Sequence, residues 1–353
     1  MNIATQFPTP TADLADLTSR LGAKGIQDRR LVHWLALSEA AGIFELMAER
    51  GPMTLDEVAS STVLNECGAD VLLGIVTSLG VIRKQDGRYT LSEMAHQYLV
   101  KSSPYYFGDV LFAGCSRRIP NPFLREPHSY FPLEKRVLAT YWWLKGFGTE
   151  GMLKNQHGRN LAPNVVAAQT GRFDGITHLL DVGGGTGTFA MPFARKYPDA
   201  RVTLTDLPRS VSKIRPYLVR YGLENRIRTI GMDMFRTPWP ISECDGVFLG
   251  NIVHTYDDEG VRFILKESLE RLVPGGRVYV HEVLWNENKD GPLIAALWNG
   301  TLRRFTNGRQ RTGSELENLL SECGFGDLFI TPTAGGFSIV EGKKPGSSPK
   351  AKA

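Results

Sequence analysis

Apolar positions recur at helical spacing from Leu31 through Trp34, Leu35, Leu37, Ala41 and Phe44, which predicts helix across 29–50. Thr54 followed by Glu57 in "GPMTLDEVAS" is the pattern of a capping box that opens a second helix. The mostly apolar "GADVLLGIVTSLGVI" predicts a third, and in "RKQDGRYTLSE" the pair Asp86-Gly87 joins two short β-prone runs as a hairpin. Three helices and a hairpin predict a winged helix. From residue 178 the period changes. The runs "HLLDV", "RVTLTD", "IRTIGMD", "CDGVFLGN" and "RVYVHEVLW" are separated by helical stretches such as "VRFILKESLERL", and "LFITPT" and "FSIVEG" follow. That alternation predicts an α/β fold with a Rossmann-like, mostly parallel sheet of seven strands. Between the two regions lie "SPYYFGDVLF", "YWWLKGF" and "KNQHGRNLAP", an aromatic-rich and mostly helical connector, placed where small-molecule pockets form.

Composition narrows the functional classes. The net charge is only +4, from 41 basic and 37 acidic residues that are interleaved rather than clustered, which argues against a nucleic-acid partner. The third helix carries no Arg, Lys, Asn or Gln for a major groove, so its expected role is packing or dimerisation. Cys67, Cys115, Cys244 and Cys323 are far apart and form no CxxC pair, so neither a disulfide framework nor a zinc knuckle is suggested and the cytoplasm is expected. The start, "MNIATQFPTPTADLADL", lacks the charge and apolar run of a signal peptide, and no stretch of about 18 apolar residues predicts a membrane span. The tail "KKPGSSPKAKA" has nothing to bury and is expected to be disordered.

The densest chemical signal is "LLDVGGGTGTF". An apolar run ends in Asp181 and enters Gly183, Gly184, Gly185 and Gly187, where missing Cβ atoms let a backbone turn sharply and approach a ligand. Read from Gly183, a dinucleotide fingerprint fails at Thr188; read from Gly185, it reaches Ala190 and passes, so the glycines alone leave the cofactor open. Asp206 in "LTDLP" is placed to accept from ribose hydroxyls, which either cofactor would need. Asp233 in "GMDMF" can accept from an adenine amino group, with Met232 or Met234 against the ring. An acid at the end of each of the first three strands, with D-x-G-x-G-x-G on the first, resembles the class I S-adenosylmethionine methyltransferase pattern.

With "PGGRVYVHE" and "GRQRTGSELENLL" in the same order, the chain resembles, over roughly residues 29 to 343, the small-molecule O-methyltransferases of the caffeic acid, acetylserotonin and hydroxyneurosporene type. Those enzymes join an N-terminal winged-helix dimerisation domain to a class I methyltransferase domain. The resemblance implies a homodimer and S-adenosylmethionine held by Asp181, Gly183, Gly185, Asp206, Leu207, Asp233, Met234 and Asn251. It implies a general base at His254, oriented by Glu282 and by the residue at Gln310, where the family has an acid. His157, Trp298 and Phe305 fall on its substrate side. The corresponding organisation is 1–103 for the dimerisation domain, 104–165 for a helical connector and pocket cap, 166–345 for the methyltransferase domain, and 346–353 for the tail.

Two departures bear on the reaction: His254-Thr255-Tyr256 stands where the family reads His-Asp-Trp, and Gly250 where many plant members carry lysine. The expected activity is methyl transfer to a hydroxyl of a small aromatic metabolite, with carbon or nitrogen methylation on the same scaffold as the alternative. A ligand-sensing winged-helix regulator is a further alternative, disfavoured by the bare third helix. A nicotinamide oxidoreductase is disfavoured because no Tyr-x-x-x-Lys stands near the cleft elements. His281 adjoins Glu282, but successive strand side chains face opposite ways, so no metal site is expected there.

Overall fold

The computed structural model describes residues 29–112, 115–125, 150–334 and 336–346. The expectations for the first 28 residues, for "YWWLKGF" and for the tail after 346 lie outside these. The described residues within Met1–Pro132 form one compact unit with Trp285–Arg304, and those within Leu133–Leu284 and Phe305–Ala353 form the other.

In the first unit, helices span Arg29–Ala40, Ile43–Arg50, Leu55–Ser61 and Glu66–Ser78. The capping box is present: the Glu57 N–H donates to Thr54 Oγ1 at 3.2 Å and the Thr54 N–H to Glu57 Oε2 at 2.8 Å. Strands β1 (Ile82–Gln85) and β2 (Arg88–Leu91) pair antiparallel, with Asp86 and Gly87 both at positive φ, 49° and 74°, as a tight hairpin turn needs. The third predicted helix begins earlier than its apolar run, because Asn65 caps it by accepting from the Gly68 N–H at 2.8 Å. Val71 through Thr77 are all buried, so this helix is core and not a reading surface. The grouping differs from the sequence-based boundaries at Trp285–Arg304, which leaves the α/β region to pack here. A Cβ on Gly74 would stand 3.0 Å from the Trp285 ring, and one on Gly300 3.1 Å from Trp34. The helix Glu150–Gln169, which a boundary at 165 would cut, belongs wholly to the second unit.

The second unit is built on a seven-stranded sheet: β3 (His178–Val182), β4 (Arg201–Asp206), β5 (Ile227–Gly231), β6 (Cys244–Gly250), β7 (Leu272–Val283), β8 (Gly326–Pro332) and β9 (Phe337–Lys343), in the order β5-β4-β3-β6-β7-β9-β8. β3 to β7 are parallel and β9 runs antiparallel between β7 and β8. Each face of the sheet has its own core. Leu249, Val280 and Leu316 lie on one side, Phe189, Phe248 and Tyr279 on the other, which is why the central strands read as continuous apolar runs. Strand order reverses between β3 and β6, and open α/β sheets bind ligands in the crevice at that point, beyond the carboxyl ends of the strands. Among the described residues, no single helix is long and apolar enough to cross a membrane.

Candidate active site

The glycine loop leaves β3 on one side of the strand-order reversal. Gly183, Gly185 and Gly187 all have positive φ, of 66°, 56° and 79°. At Gly183 space is limiting as well: a Cβ there would meet Ile252 Cδ1 at 2.6 Å, so the loop presses directly on the segment that follows β6. Asp181, only 2% exposed, leaves Oδ2 without a hydrogen-bond partner among the described residues. Burial, with a smaller contribution from Asp206 nearby, pushes its carboxyl up to about 7, against the pull of the Ala190 N–H. An unpartnered buried oxygen costs roughly 1–3 kcal/mol. A polar ligand beside the loop would offset that cost.

Asp206 ends β4 and clasps the same loop. The Gly185 N–H donates to its Oδ2 at 2.9 Å and the Leu207 N–H to its Oδ1 at 2.7 Å. Burial raises its pKa despite these bonds. Leu207 therefore contributes its backbone to the acid's placement. Asp233, after β5, is 25% exposed and accepts from the Phe235 N–H at 3.1 Å. Met234 packs half-buried against the core that includes Met232. Asn251, just past β6, has φ 55° and a buried Oδ1 with no partner among the described residues, while its N–H donates to the His281 carbonyl at 3.0 Å. The donor and acceptor set, the open backbone and two partnerless buried oxygens fit a polar cofactor at the ends of these strands.

On the other side of the reversal a short 3₁₀ turn, Val253–Thr255, carries His254. Glu282 on β7, 2% exposed, holds it twice: Oε2 is 2.6 Å from Nδ1, and Oε1 accepts the His254 backbone N–H at 3.3 Å. A carboxylate only accepts, so Nδ1 carries the proton and Nε2 is the basic nitrogen. A small recess is lined by His254, Glu282, Gln310, Arg309, Arg311 and Leu284, so the three residues expected to act together are adjacent. Gln310 itself is buried.

The remaining expected residues are placed differently. His157 is buried against the glycine loop, Nδ1 2.9 Å from Thr186 Oγ1 and Nε2 3.4 Å from the Tyr221 hydroxyl, with the Tyr217 ring tilted against it at 4.6 Å. Both ring nitrogens are engaged within the protein. Trp298 is half-buried in the first unit, and the Phe305 side chain lies outside the described residues. His281 points to the opposite sheet face from Glu282, between Asn164 Oδ1 at 2.8 Å and Thr333 Oγ1 at 2.9 Å. Among the described residues no three His, Cys, Asp or Glu side chains gather as a metal site. Sequence reasoning missed Asn164, Thr186, Thr188, Gly308 and Arg311. Nothing in "GRQRT" distinguishes a buried arginine from a solvated one.

Comparisons with known proteins give the family and the fold. The profile of the O-methyltransferase domain matches residues 151–326, and that of the O-methyltransferase dimerisation domain residues 35–101. A 3-hydroxy-5-methyl-1-naphthoate 3-O-methyltransferase of Streptomyces sahachiroi is 30% identical over 322 residues, covering 86% of this chain and 89% of the relative. An O-methyltransferase family 2 protein from Planctomyces limnophilus, solved with apigenin, superposes with a TM-score of 0.71 at 22% identity over 96% of this chain and 97% of that one. Human N-acetylserotonin methyltransferase, solved with S-adenosylmethionine, gives 0.50 at 23% identity over 96% and 100%.

Proposed function

The chain belongs to the O-methyltransferase family, and from that premise we propose that it transfers a methyl group from S-adenosylmethionine to a hydroxyl of a small aromatic metabolite, with His254 as general base. The observation that carries this reading is the 2.6 Å contact between His254 Nδ1 and buried Glu282, at the strand-order reversal across from the glycine loop.

S-adenosylmethionine supplies an electrophilic methyl on a sulfonium. Asp181, Asp206, Asp233 and Asn251 with the glycine backbone would hold it so that its methyl–sulfur bond could break with S-adenosylhomocysteine as the leaving group, and His254 Nε2 would take the proton that the acceptor hydroxyl loses as its oxygen bonds to the methyl carbon. Positioning of the two reactants is worth about 7–11 kcal/mol and a general base roughly a hundredfold to ten-thousandfold, so geometry carries most of the rate. Gln310 lines the recess as a neutral partner, which leaves Glu282 as the charged support of the imidazole. His157 anchors the helix above the glycine loop. The enzyme acts as a homodimer through the N-terminal unit, and four cysteines joined by no disulfide suit the reducing cytoplasm.

The test is incubation with S-adenosylmethionine deuterated at the methyl, alongside hydroxynaphthoates and hydroxyflavones, with products read by mass spectrometry and NMR. The expected product is a deuteromethyl ether, lost in His254→Ala. Methylation only at carbon or nitrogen, with His254→Ala as active as wild type, would overturn the reading.

A further inference from the structure

Arg311 is one of the largest completely buried side chains among the described residues, 1% exposed. Taking a charge out of water costs several kcal/mol unless every donor is satisfied in good geometry. Here all are. Nε donates to Asp258 Oδ1 at 2.9 Å, and Nη2 to the same oxygen at 2.7 Å and to the Tyr256 carbonyl at 2.9 Å. Nη1 donates to the Val253 carbonyl at 3.1 Å and to that of Arg309 at 3.4 Å. Val253 and Tyr256 are the residues on either side of the His254-Thr255 pair. The turn between them is a single 3₁₀ turn with little hydrogen bonding of its own, closed by Thr255 N–H to Ile252 and Tyr256 N–H to Val253. The planar fork thus spans the histidine turn from end to end.

A second contact comes from the same segment. A Cβ on Gly308 would lie 2.0 Å from the His254 carbonyl oxygen and 2.4 Å from the Thr255 carbonyl carbon, so the backbone at 308 rests on the peptide that follows the histidine. Arg309 fixes the other end of the clamp, pairing with Asp258 at 3.2 Å and Glu315 at 2.8 Å. The segment 308–311 and Glu282 therefore hold the turn from separate elements, one by its carbonyls and the other by its N–H and imidazole.

We propose that Arg311 is a positioning residue that sets the place of the His254 imidazole, by gripping the carbonyls of Val253 and Tyr256 on both sides of it. Its consequence for turnover rests on the reading of His254 as the base. Lysine keeps the charge but offers a point donor in place of a fork, so it cannot span both carbonyls and Asp258 together.

The experiment compares Arg311→Lys with wild type by thermal melting, S-adenosylmethionine affinity, turnover, and the NMR resonance of the His254 Nδ1 proton, assigned by its loss in His254→Ala. In folded Arg311→Lys the downfield Nδ1 proton is expected to broaden into exchange with water. Turnover is expected to fall about tenfold to a hundredfold, the scale of a displaced catalytic group, with cofactor affinity within about threefold of wild type. If Arg311→Lys does not fold, Asp258→Ala, which frees two of the five donors, is expected to move the same resonance and turnover in the same direction by less. A folded variant whose Nδ1 resonance and turnover match wild type overturns the proposal. A displaced resonance together with a fully active His254→Ala would uphold the positioning while rejecting His254 as the base.

Discussion

His157 Nδ1 lies 2.9 Å from Thr186 Oγ1, which bonds the helix Glu150–Gln169 to the glycine loop itself. Two turns further along, Asn164 Nδ2 donates to Thr188 Oγ1 at 2.8 Å, so the loop is braced at both of its threonines. Removing either brace leaves the His254 turn intact but loosens the backbone proposed to meet the cofactor. His157→Leu and Asn164→Ala are therefore expected to weaken S-adenosylmethionine binding about three- to thirtyfold, the loss of one or two net hydrogen bonds, with turnover at saturation little changed. Calorimetric affinities and saturation kinetics check this. A drop in saturated turnover without loss of affinity would contradict the bracing role.

With Asp181 at the proposed cofactor site, binding is expected to depend on pH with a definite sign. Its carboxyl is pushed up to about 7 by burial, so in the ligand-free protein it holds a proton over most of the range below that. A cationic ligand favours the carboxylate, so binding below pH 7 should release up to about one proton and tighten as the pH rises toward 7. Titrations at pH 6 in two buffers of different ionisation enthalpy measure the release directly, and Asp181→Asn should abolish it. The same shift sets a stability trend. The contribution of this group is complete below the unfolded value near 3.8 and is lost as pH rises through 7, so Asp181→Asn gains on wild type with increasing pH when no ligand is present.

Much of this site was legible in the residues because continuous apolar runs, glycines and acids are local signals. The ends of β3, β4 and β5 follow from "LLDVGGGTG", "TDLP" and "GMDMF", and the alternation of a strand places His281 and Glu282 on opposite faces before any coordinates are seen. Arg311 and Gly308 were not legible. Their roles depend on a loop between Phe305 and the capped helix at Gly313–Glu322 meeting a turn about 50 residues earlier, and no spacing rule carries that contact. The packing of Trp285 against Gly74 is non-local in the same way: the residue types are ordinary, and only the crossing of the chain between units brings them together.

His281 is held near a pKa of about 3 by burial alone, between Asn164 and Thr333. The unfolded chain takes up its proton near 6.5, which the folded protein refuses. Its stabilisation is thus complete above 6.5 and is lost as pH falls toward 3. His281→Gln can donate to Asn164 and accept from Thr333 without titrating. Melting temperatures of the two proteins are expected to lie close at pH 7 and to separate as pH falls below 6.5, with wild type losing more, whereas parallel curves would mean that another group controls the acid limb.

At Gly183 both φ and space forbid a side chain. Gly183→Ala must accommodate φ 66° and move the Ile252 side chain, two residues before His254. Loop and histidine turn should shift together, so affinity for S-adenosylmethionine and turnover are both expected to fall, each about tenfold or more. Gly185→Ala has the same sign of φ but open space around the Cβ position, and is expected to lose affinity while sparing turnover. Equal effects of the two substitutions on turnover would show that strain, and not the contact with Ile252, is what matters.

Glu282 separates charge from placement at the histidine. Glu282→Gln retains one oxygen for the Nδ1 proton, but its amide cannot accept from both Nδ1–H and the backbone N–H as the two carboxylate oxygens do at 2.6 and 3.3 Å. It also removes the negative charge that, with His254 as the proposed base, would stabilise an imidazolium. His254→Ala, by contrast, removes the proposed base altogether. Turnover is therefore expected to fall in order, about tenfold for Glu282→Gln and about a hundredfold to ten-thousandfold for His254→Ala, with cofactor affinity nearly constant across the series. Glu282→Ala should lie between them and also lower the melting temperature, since it leaves a cavity at a position only 2% exposed and frees the imidazole to rotate. Saturation kinetics on all three, with the methyl acceptor identified from the deuterium-transfer screen, give the ranking. If Glu282→Gln is as damaging as His254→Ala, the carboxylate is itself required at the reacting atoms and the assignment of base and support must be exchanged.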